Sequence, residues 1–556
     1  MAESQPDVQA NIRAARSVRG IPSSQPLVPY RSLGELVALR ARETPDKVFL
    51  VYYNDDTGEQ AEYTYAQFAR RVAQVTHFLQ RELGIRRGDC VATVSINHPD
   101  TVFIYFACWA LGAVVAPQNV GEADDRVAFI LGNAEARVAL VRPEYYERLL
   151  SLQQRVPTLE RLVALDETYH QALDAQPDSF PTPTEDMLET PCLIVYTSGT
   201  TGAPKGVELV QYNLLADALG IVEWHGVTPD QRFMCVLPIH HMNGIETTLV
   251  TPLFVGSSVV LNRSFKASTF WKRLQGCSLV SVVPTLLQFL CEANDDLAKY
   301  DLSRLRYFFC SAGTLAVALA TRFEAQFGVQ IMHGYGLSET TCYTCFLPND
   351  LPPDEHRRWL RDWGYPSIGM PLSVNEMAIH DTQGQPLPDG QRGEIVARGH
   401  NIMAGYFKRP DANADAFPHG WFRTGDEGFC QRDAQGRPFY FITGRLKELI
   451  NRGGVKYSPF EIEEVLLEIP GVKVGLAVAF DNVWYGEEVG AYVVPEDGAR
   501  LTAEGVLAHC RQRMPFTKAP KVVVFGTDIP VTATGKYQRL RLKDLFREYE
   551  GIQFKP

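Results

Sequence analysis

Leu193-Ile-Val-Tyr-Thr-Ser-Gly-Thr-Thr-Gly-Ala-Pro-Lys205-Gly206 is the segment on which the fold is read. Leu193 to Tyr196 is a short apolar strand. It runs straight into Thr197, Ser198, Gly199, Thr200, Thr201 and Gly202, an unbroken run of small hydroxyl and glycine residues, and Lys205 follows. A strand end of this kind exposes successive backbone N–H groups. Such a loop can wrap polyphosphate, with hydroxyls and one lysine adding charge-assisted bonds. A plain surface turn has no need of so uniform a run. The segment is not a Walker P-loop, because no G-x-x-x-x-G-K-[ST] pattern is present.

On the N-terminal side, from about Leu33 to Thr190, helical and strand patterns alternate. Phe68 to Leu83 has apolar residues at helical spacing, and Cys90 to Ser95, Val138 to Val141 and Leu162 to Leu165 read as short buried strands. The longest apolar run, Val102 to Pro117, is shorter than a membrane span and predicts a buried helix leading into a strand. A second stretch of the same kind has strands at Arg232 to Leu237, Ser258 to Leu261, Leu279 to Val283 and Tyr307 to Cys310. This alternation predicts two α/β units with mostly parallel sheets covered by helices. From about Gly364 to Thr443 short alternating strands with frequent Gly and Pro, such as Gly393 to Arg398 and Pro438 to Thr443, predict a small antiparallel sheet or barrel. The charged turn Arg445, Leu446, Lys447, Glu448 then opens a final mixed stretch that runs to Pro556.

A chain of 556 residues is too long for one core, so two or more domains are expected. Hydrophobic residues make up 45% and charged residues 21%, an ordinary globular balance. The formal charge of -11, with both signs spread along the chain, gives no basic field for nucleic acid. The eleven scattered cysteines do not form the framework of a small disulfide-stapled domain, so free thiols in the cytoplasm are expected. Cys342 and Cys345 form one CxxC pair, which offers only half of a structural zinc site and is read as packing. Arg13, Arg16 and Arg19 precede no apolar core, so no secretory signal or transmembrane segment is expected.

Seven further segments follow in order. They are Pro238-Ile-His-His-Met-Asn-Gly244, Cys310-Ser-Ala-Gly-Thr-Leu315, Gly334-Tyr-Gly-Leu-Ser-Glu-Thr-Thr341, Gly420-Trp-Phe-Arg-Thr-Gly-Asp426, Gly444-Arg-Leu-Lys447, Gly453-Gly-Val-Lys-Tyr-Ser-Pro-Phe-Glu-Ile-Glu463 and Pro530-Val-Thr-Ala-Thr-Gly-Lys536. With the phosphate loop they resemble the adenylate-forming superfamily, which includes acyl-CoA synthetases, luciferases and the adenylation domains of peptide synthetases. The AMP-forming acyl-CoA synthetases are the most similar group, and the resemblance covers nearly the whole chain.

The resemblance implies a set of roles. Thr197, Ser198, Gly199, Thr200, Thr201, Gly202 and Lys205 hold the phosphates of ATP. Gly313, Tyr335 and Gly336 lie by the adenine, Ser338 binds a phosphate oxygen and Glu339 holds Mg²⁺. Asp426 accepts from both ribose hydroxyls, and Arg445 contacts the ribose. His240, His241, Ser311, Ala312, Gly313 and Thr340 line the acyl pocket. Lys536, His241 and Glu339 carry catalysis. Adjacent histidines on a strand point to opposite faces, which rules out a metal pair. Lys447 is the hinge, and Gly453, Gly454 and Lys456 meet the pantetheine arm of the thiol.

The implied fold is α/β. It has a large N-terminal domain of two α/β subdomains and a small antiparallel β-barrel-like subdomain, and a smaller α+β C-terminal domain joined by a hinge. The expected boundaries are 1–444, 445–447 and 448–556. The implied reaction converts a carboxylic acid and ATP to acyl-AMP, then transfers the acyl group to coenzyme A. Acyl-AMP ligation to a carrier protein or an amine is the alternative, with a non-catalytic binder behind it, and the resemblance also allows a homodimer. Amino-acid activators usually carry an aspartate near the histidine segment. Here no acidic residue occurs from Arg232 to Ile245, which points to a fatty, aromatic or other organic acid without an α-amino group. Two departures stand out. Ser311 replaces the usual glycine and is expected to narrow the acyl pocket. Val210-Gln211 replaces a frequent Thr-His pair and bears on the geometry of the phosphate loop.

Overall fold

Every residue from Pro99 to Ala110 is buried in the helix Pro99–Leu111. A helix apolar on all sides belongs in the interior. Pro99 suits its first turn, and Gly112, left-handed at φ 75°, ends it. The chain then enters the strand Val114–Gln118, as the apolar run predicts. The Trp109 indole donates to the Cys192 carbonyl at 2.9 Å, which ties this helix to the strand that leads into the phosphate loop. Full burial of such side chains contributes about 1.5–3 kcal/mol each. The helix Tyr65–Arg81 begins at Tyr65 rather than Phe68, because Thr64 and Gln67 close a reciprocal capping box.

The computed structural model describes residues 7–179, 185–197, 204–531 and 537–555. Four sheets of four or more strands organise it. A seven-stranded sheet contains Cys90–Val94, Val114–Gln118, Ala136–Val141, Arg161–Ala164, Pro191–Thr197, Lys205–Val210 and Gly405–Tyr406. A nine-stranded sheet has a parallel centre formed by Val48–Tyr53, Ser258–Asn262, Arg232–Cys235, Leu279–Val282, Tyr307–Cys310 and Ile331–Tyr335. The two α/β units of the sequence are therefore present, although strands cross between stretches: Gly405–Tyr406 and Met370–Pro371, from the stretch expected to be antiparallel, join the seven- and nine-stranded sheets. The hairpin Val48–Tyr53 and Gln60–Thr64 lies in the first stretch but pairs into the second sheet, with Leu50 opposite Val259.

A four-stranded antiparallel sheet follows, formed by Asn375–His380, Gly393–Gly399, Phe422–Arg432 and Pro438–Arg445. It is an open half-barrel. The last sheet is built wholly from strands after Leu449, with Gly486–Pro495 at its centre. The helix Pro459–Leu467 packs this last sheet against the rest. Glu461 accepts from the Tyr365 hydroxyl at 2.6 Å and from Arg392 at 2.5 Å, and Glu464 accepts the Val317 N–H at 2.9 Å. Among the described residues no helix is long and apolar enough to cross a membrane.

Candidate active site

Parallel strands present their carboxyl ends on one edge, where ligands of α/β sheets usually bind. In the nine-stranded sheet that edge carries the segments after Cys235, Cys310 and Tyr335. Two non-glycine residues are left-handed there, Ala312 at φ 68° and Thr341 at φ 62°. Such strain is uncommon, above all for a β-branched residue, and it gathers at binding sites. Gly336 can be nothing else, because a Cβ would lie 1.8 Å from the Cys342 carbonyl oxygen. At Gly313 the protein leaves ordinary room, with Pro284 3.4 Å from an added Cβ, so any demand for glycine there must come from a ligand.

Asp426 forms the centre of the site. It faces Arg445 directly across two antiparallel strands, beside a register shift at Glu427 and Gly428. Its carboxylate is 1% exposed. The Tyr335 hydroxyl donates to Oδ2 at 2.6 Å, while Oδ1 lies 3.1 Å from Arg445 Nε. Oδ1 is buried and accepts no hydrogen bond. Burial and the Asp426 charge raise the Tyr335 phenol well above its usual value, so it stays a donor. The Asp426 charge likewise raises Arg445 above the ordinary guanidinium range. Three residues from separate sequence segments thus converge, leaving one buried acceptor for a hydroxyl donor such as a ribose.

Tyr406, which the sequence reading missed, links Glu339 to Lys205. Its hydroxyl donates to Glu339 Oε1 at 2.9 Å, and the Lys205 ammonium sits 4.6 Å from its ring centroid. The strand Gly405–Tyr406 adds to the edge of Lys205–Val210, so Tyr406 and Lys205 arise on neighbouring strands. Thr197 pairs with Lys205 across a hairpin. Ser198, Gly199, Thr200, Thr201 and Gly202 lie outside the described residues. Ser338 and Glu339 are half-buried on the single turn Ser338–Thr340. Among the described residues no three His, Cys, Asp or Glu side chains converge to hold a metal alone. A lone carboxylate near the phosphate lysine nonetheless fits Mg²⁺, which takes one or two carboxylates and completes its shell with phosphate and water.

On the acyl side the two histidines correct an expectation. They are not on a strand. The strand ends at Cys235, and the His241 N–H closes a turn onto the Pro238 carbonyl at 3.2 Å. Pro238 has no N–H for a ladder, so the chain turns there. The rings of His240 and His241 lie side by side, their centroids 4.3 Å apart. Burial pulls the His240 imidazole down to about 4, so it is neutral. Ser311 is not simply an intruding side chain. Its hydroxyl meets the Tyr343 hydroxyl at 2.9 Å and accepts from Asn243 at 3.1 Å. Asn243 also donates to Tyr343 at 3.0 Å, which lies 3.3 Å from the Ser281 hydroxyl. An uncharged hydrogen-bonded cluster therefore stands at this strand end. Thr340 is fully buried and bonds Leu337 and Thr344, so its side chain braces the turn.

Gln211 also points inward. It accepts the Leu33 N–H and donates to the Trp109 carbonyl, each at 2.8 Å, and is fully buried. The Val210-Gln211 departure is thus a matter of core packing. Cys342 and Cys345 are buried too, and burial raises both thiols above their usual value.

Glu246 is the first acidic residue after the histidines. It is fully buried on the π-helix Asn243–Val250, and neither carboxyl oxygen has a hydrogen bond. Burial first, and then the charge of Asp217, raises it well above 4.5. A raised carboxyl contributes stability that is complete below its unfolded value and is lost as pH rises through its folded value. Glu246→Gln is therefore expected to flatten the fall in melting temperature between pH 5 and pH 9. Parallel curves for the two proteins would sink this assignment.

Gly453 and Gly454, at φ 59° and 89°, form the tight turn between Ile450–Arg452 and Val455–Tyr457. Arg452 holds that turn, donating to Glu488 at 2.7 Å with its guanidinium 3.8 Å from the Tyr485 ring centroid. Lys447 and Lys456 are exposed. Lys536, with Thr534 and Gly535, lies outside the described residues.

Comparison with known proteins shows the family. The AMP-binding enzyme family matches residues 37–407, and the AMP-binding enzyme C-terminal domain matches residues 461–536. A sulfoacetate–CoA ligase of Cupriavidus necator is 35% identical over 92% of this chain and 97% of its own length. An oxalate–CoA ligase of Arabidopsis thaliana is 30% identical over 87% of this chain and 94% of its own. Among solved structures, an anthranilate CoA ligase in complex with anthranoyl-AMP superposes with a TM-score of 0.82 at 25% identity, covering 95% of this chain and 99% of that one.

Proposed function

This chain belongs to the AMP-binding enzyme family, and from that premise we propose how its residues divide the work of an AMP-forming acid:CoA ligase. A carboxylic acid and ATP give acyl-AMP and pyrophosphate; acyl-AMP and the coenzyme A thiol then give the thioester and AMP. The observation that carries the assignment is the buried, unbonded Oδ1 of Asp426 between Tyr335 and Arg445. It is the acceptor a ribose needs.

In the first step two anions must meet, so positioning and charge neutralisation supply most of the catalysis. Asp426, Arg445 and Tyr335 hold the nucleoside. Lys205 and the loop from Thr197 hold the departing pyrophosphate. Glu339, steadied by Tyr406, would hold Mg²⁺, which when bound neutralises phosphate charge. Lys536 bridges the carboxylate and the α-phosphate as a compact cation. The acid lies against His240, His241 and the Ser311 strand end. In the second step residues 448–556 turn as a unit about Lys447, away from residues 1–444. Lys536 then leaves, and Gly453, Gly454 and Lys456 approach the thiol arm. The substrate is an organic acid without an α-amino group.

Pyrophosphate exchange with a panel of acids, repeated with coenzyme A present, tests this reading. The panel includes sulfoacetate, oxalate, aryl acids and fatty acids. Exchange with at least one acid and a thioester on adding coenzyme A are expected. Exchange without thioester would move the acceptor to a carrier protein or an amine. Failure of every acid to exchange would leave a binding protein.

A further inference from the structure

Arg539 lies three residues after Lys536 and is 9% exposed. Its guanidinium forks onto Glu463, Nε and Nη2 each donating at 2.8 Å. The remaining Nη1 donates at 2.8 Å to Glu448, the residue after Lys447. Glu463 is held in turn, because it accepts the Ala477 N–H at 3.1 Å. The Phe460 ring centroid lies 5.0 Å from the guanidinium. One side chain thus joins three distant segments: the turn after Arg445, the helix Pro459–Leu467 and the segment Arg539–Tyr549.

Two carboxylates on one buried guanidinium are a poor way to gain stability, since apolar residues of similar volume often do as well. What the triad does provide is fixed geometry. An arginine fork bonds in two directions at set angles, which a lysine cannot do.

We propose that Arg539 is a positioning residue for adenylation, clamping the residue after the hinge to the segment after Lys536 so that the two move as one rigid lever. The proposal rests on reading Lys447 as the hinge and Lys536 as the adenylation lysine. Slack between Glu448 and Arg539 would free the segment that follows Lys536 in the chain from the hinge, and a misplacement of about 1 Å at a reacting group can cost on the order of a hundredfold in rate. ATP binding does not use the clamp, because Asp426, Tyr335 and Arg445 hold the nucleoside. Thioester formation does not use it either, because Arg452 and Glu488 hold the Gly453–Gly454 turn separately.

Glu448→Ala tests this in the full chain, since it removes the acceptor that links Arg539 to the hinge and spares the fork on Glu463. It is expected to lower kcat for pyrophosphate exchange at least about tenfold. The KM for ATP and the rate from supplied acyl-AMP to acyl-CoA are expected to stay within about twofold. Arg539→Lys, which keeps the charge but not the fork, is expected to show the same split. An equal fall in both half-reactions, the mark of a merely structural role, would overturn the clamp. Exchange lost in Lys536→Ala but kept in both clamp variants would overturn the clamp alone. Exchange kept in Lys536→Ala would overturn the lysine assignment, and the clamp's purpose with it.

Discussion

Lys536→Ala is expected to lower acid-dependent pyrophosphate exchange by at least about a hundredfold, the loss typical when one preorganised charge-stabilising group is removed. Transfer from supplied acyl-AMP to coenzyme A is expected to continue near the parental rate, because the proposed rotation takes the lysine away from the carbon under attack. The described lysines flanking it most closely in sequence are engaged elsewhere. Lys543 pairs with Asp481 at 2.7 Å, Lys518 is bound to Glu461, and Lys521 is buried 3.3 Å from Glu488. An equal loss in both half-reactions would withdraw the assignment of Lys536 to the first step.

Asp426→Asn is expected to reduce kcat/KM for ATP by about a hundredfold and to lower the melting temperature. The substitution keeps the shape and removes the charge. Tyr335 can still donate to an amide oxygen, but Arg445 then faces an amide nitrogen, and its positive charge loses its partner. The cost is expected to fall below the roughly 3–5 kcal/mol of a fully buried pair, because Arg445 is 39% exposed and water screens the charge left behind. Tyr335→Phe removes only the 2.6 Å bond to Oδ2 and is expected to have a smaller effect in the same direction. An unchanged kcat/KM for ATP in Asp426→Asn would remove the nucleoside role.

Local features were the most legible in the sequence. The buried helix and strand within Val102 to Pro117, the strand ahead of the phosphate loop and the antiparallel strands after Gly364 all follow from periodicity and turn residues. Sheet membership was not legible, because it depends on pairing over long separations. Leu50 and Val259 become neighbours only in the folded sheet. The histidine segment was misjudged because the strand was carried on to the histidines, whereas it ends at Cys235 and the chain turns between Pro238 and His241. Tyr406 escaped notice because a lone Gly-Tyr pair in a turn-rich stretch carries no chemical signal. It acquires a role only when Gly405–Tyr406 pairs beside Lys205. The same holds for Glu448 and Arg539, which lie 91 positions apart. Asp426 and Arg445 could be marked by their motifs, but that they face each other across two strands is a fact of register.

All eleven cysteines are buried, and burial raises each thiol pKa, which keeps them protonated and poor nucleophiles at neutral pH. The native chain is thus already a quiet background for maleimide dyes. Two cysteines introduced on the surface, one before Lys447 and one after it, would take up a donor and an acceptor fluorophore without first stripping the protein of its own thiols. The turnover of the two half-reactions could then be followed as a change in distance, in single molecules, on an otherwise unaltered enzyme.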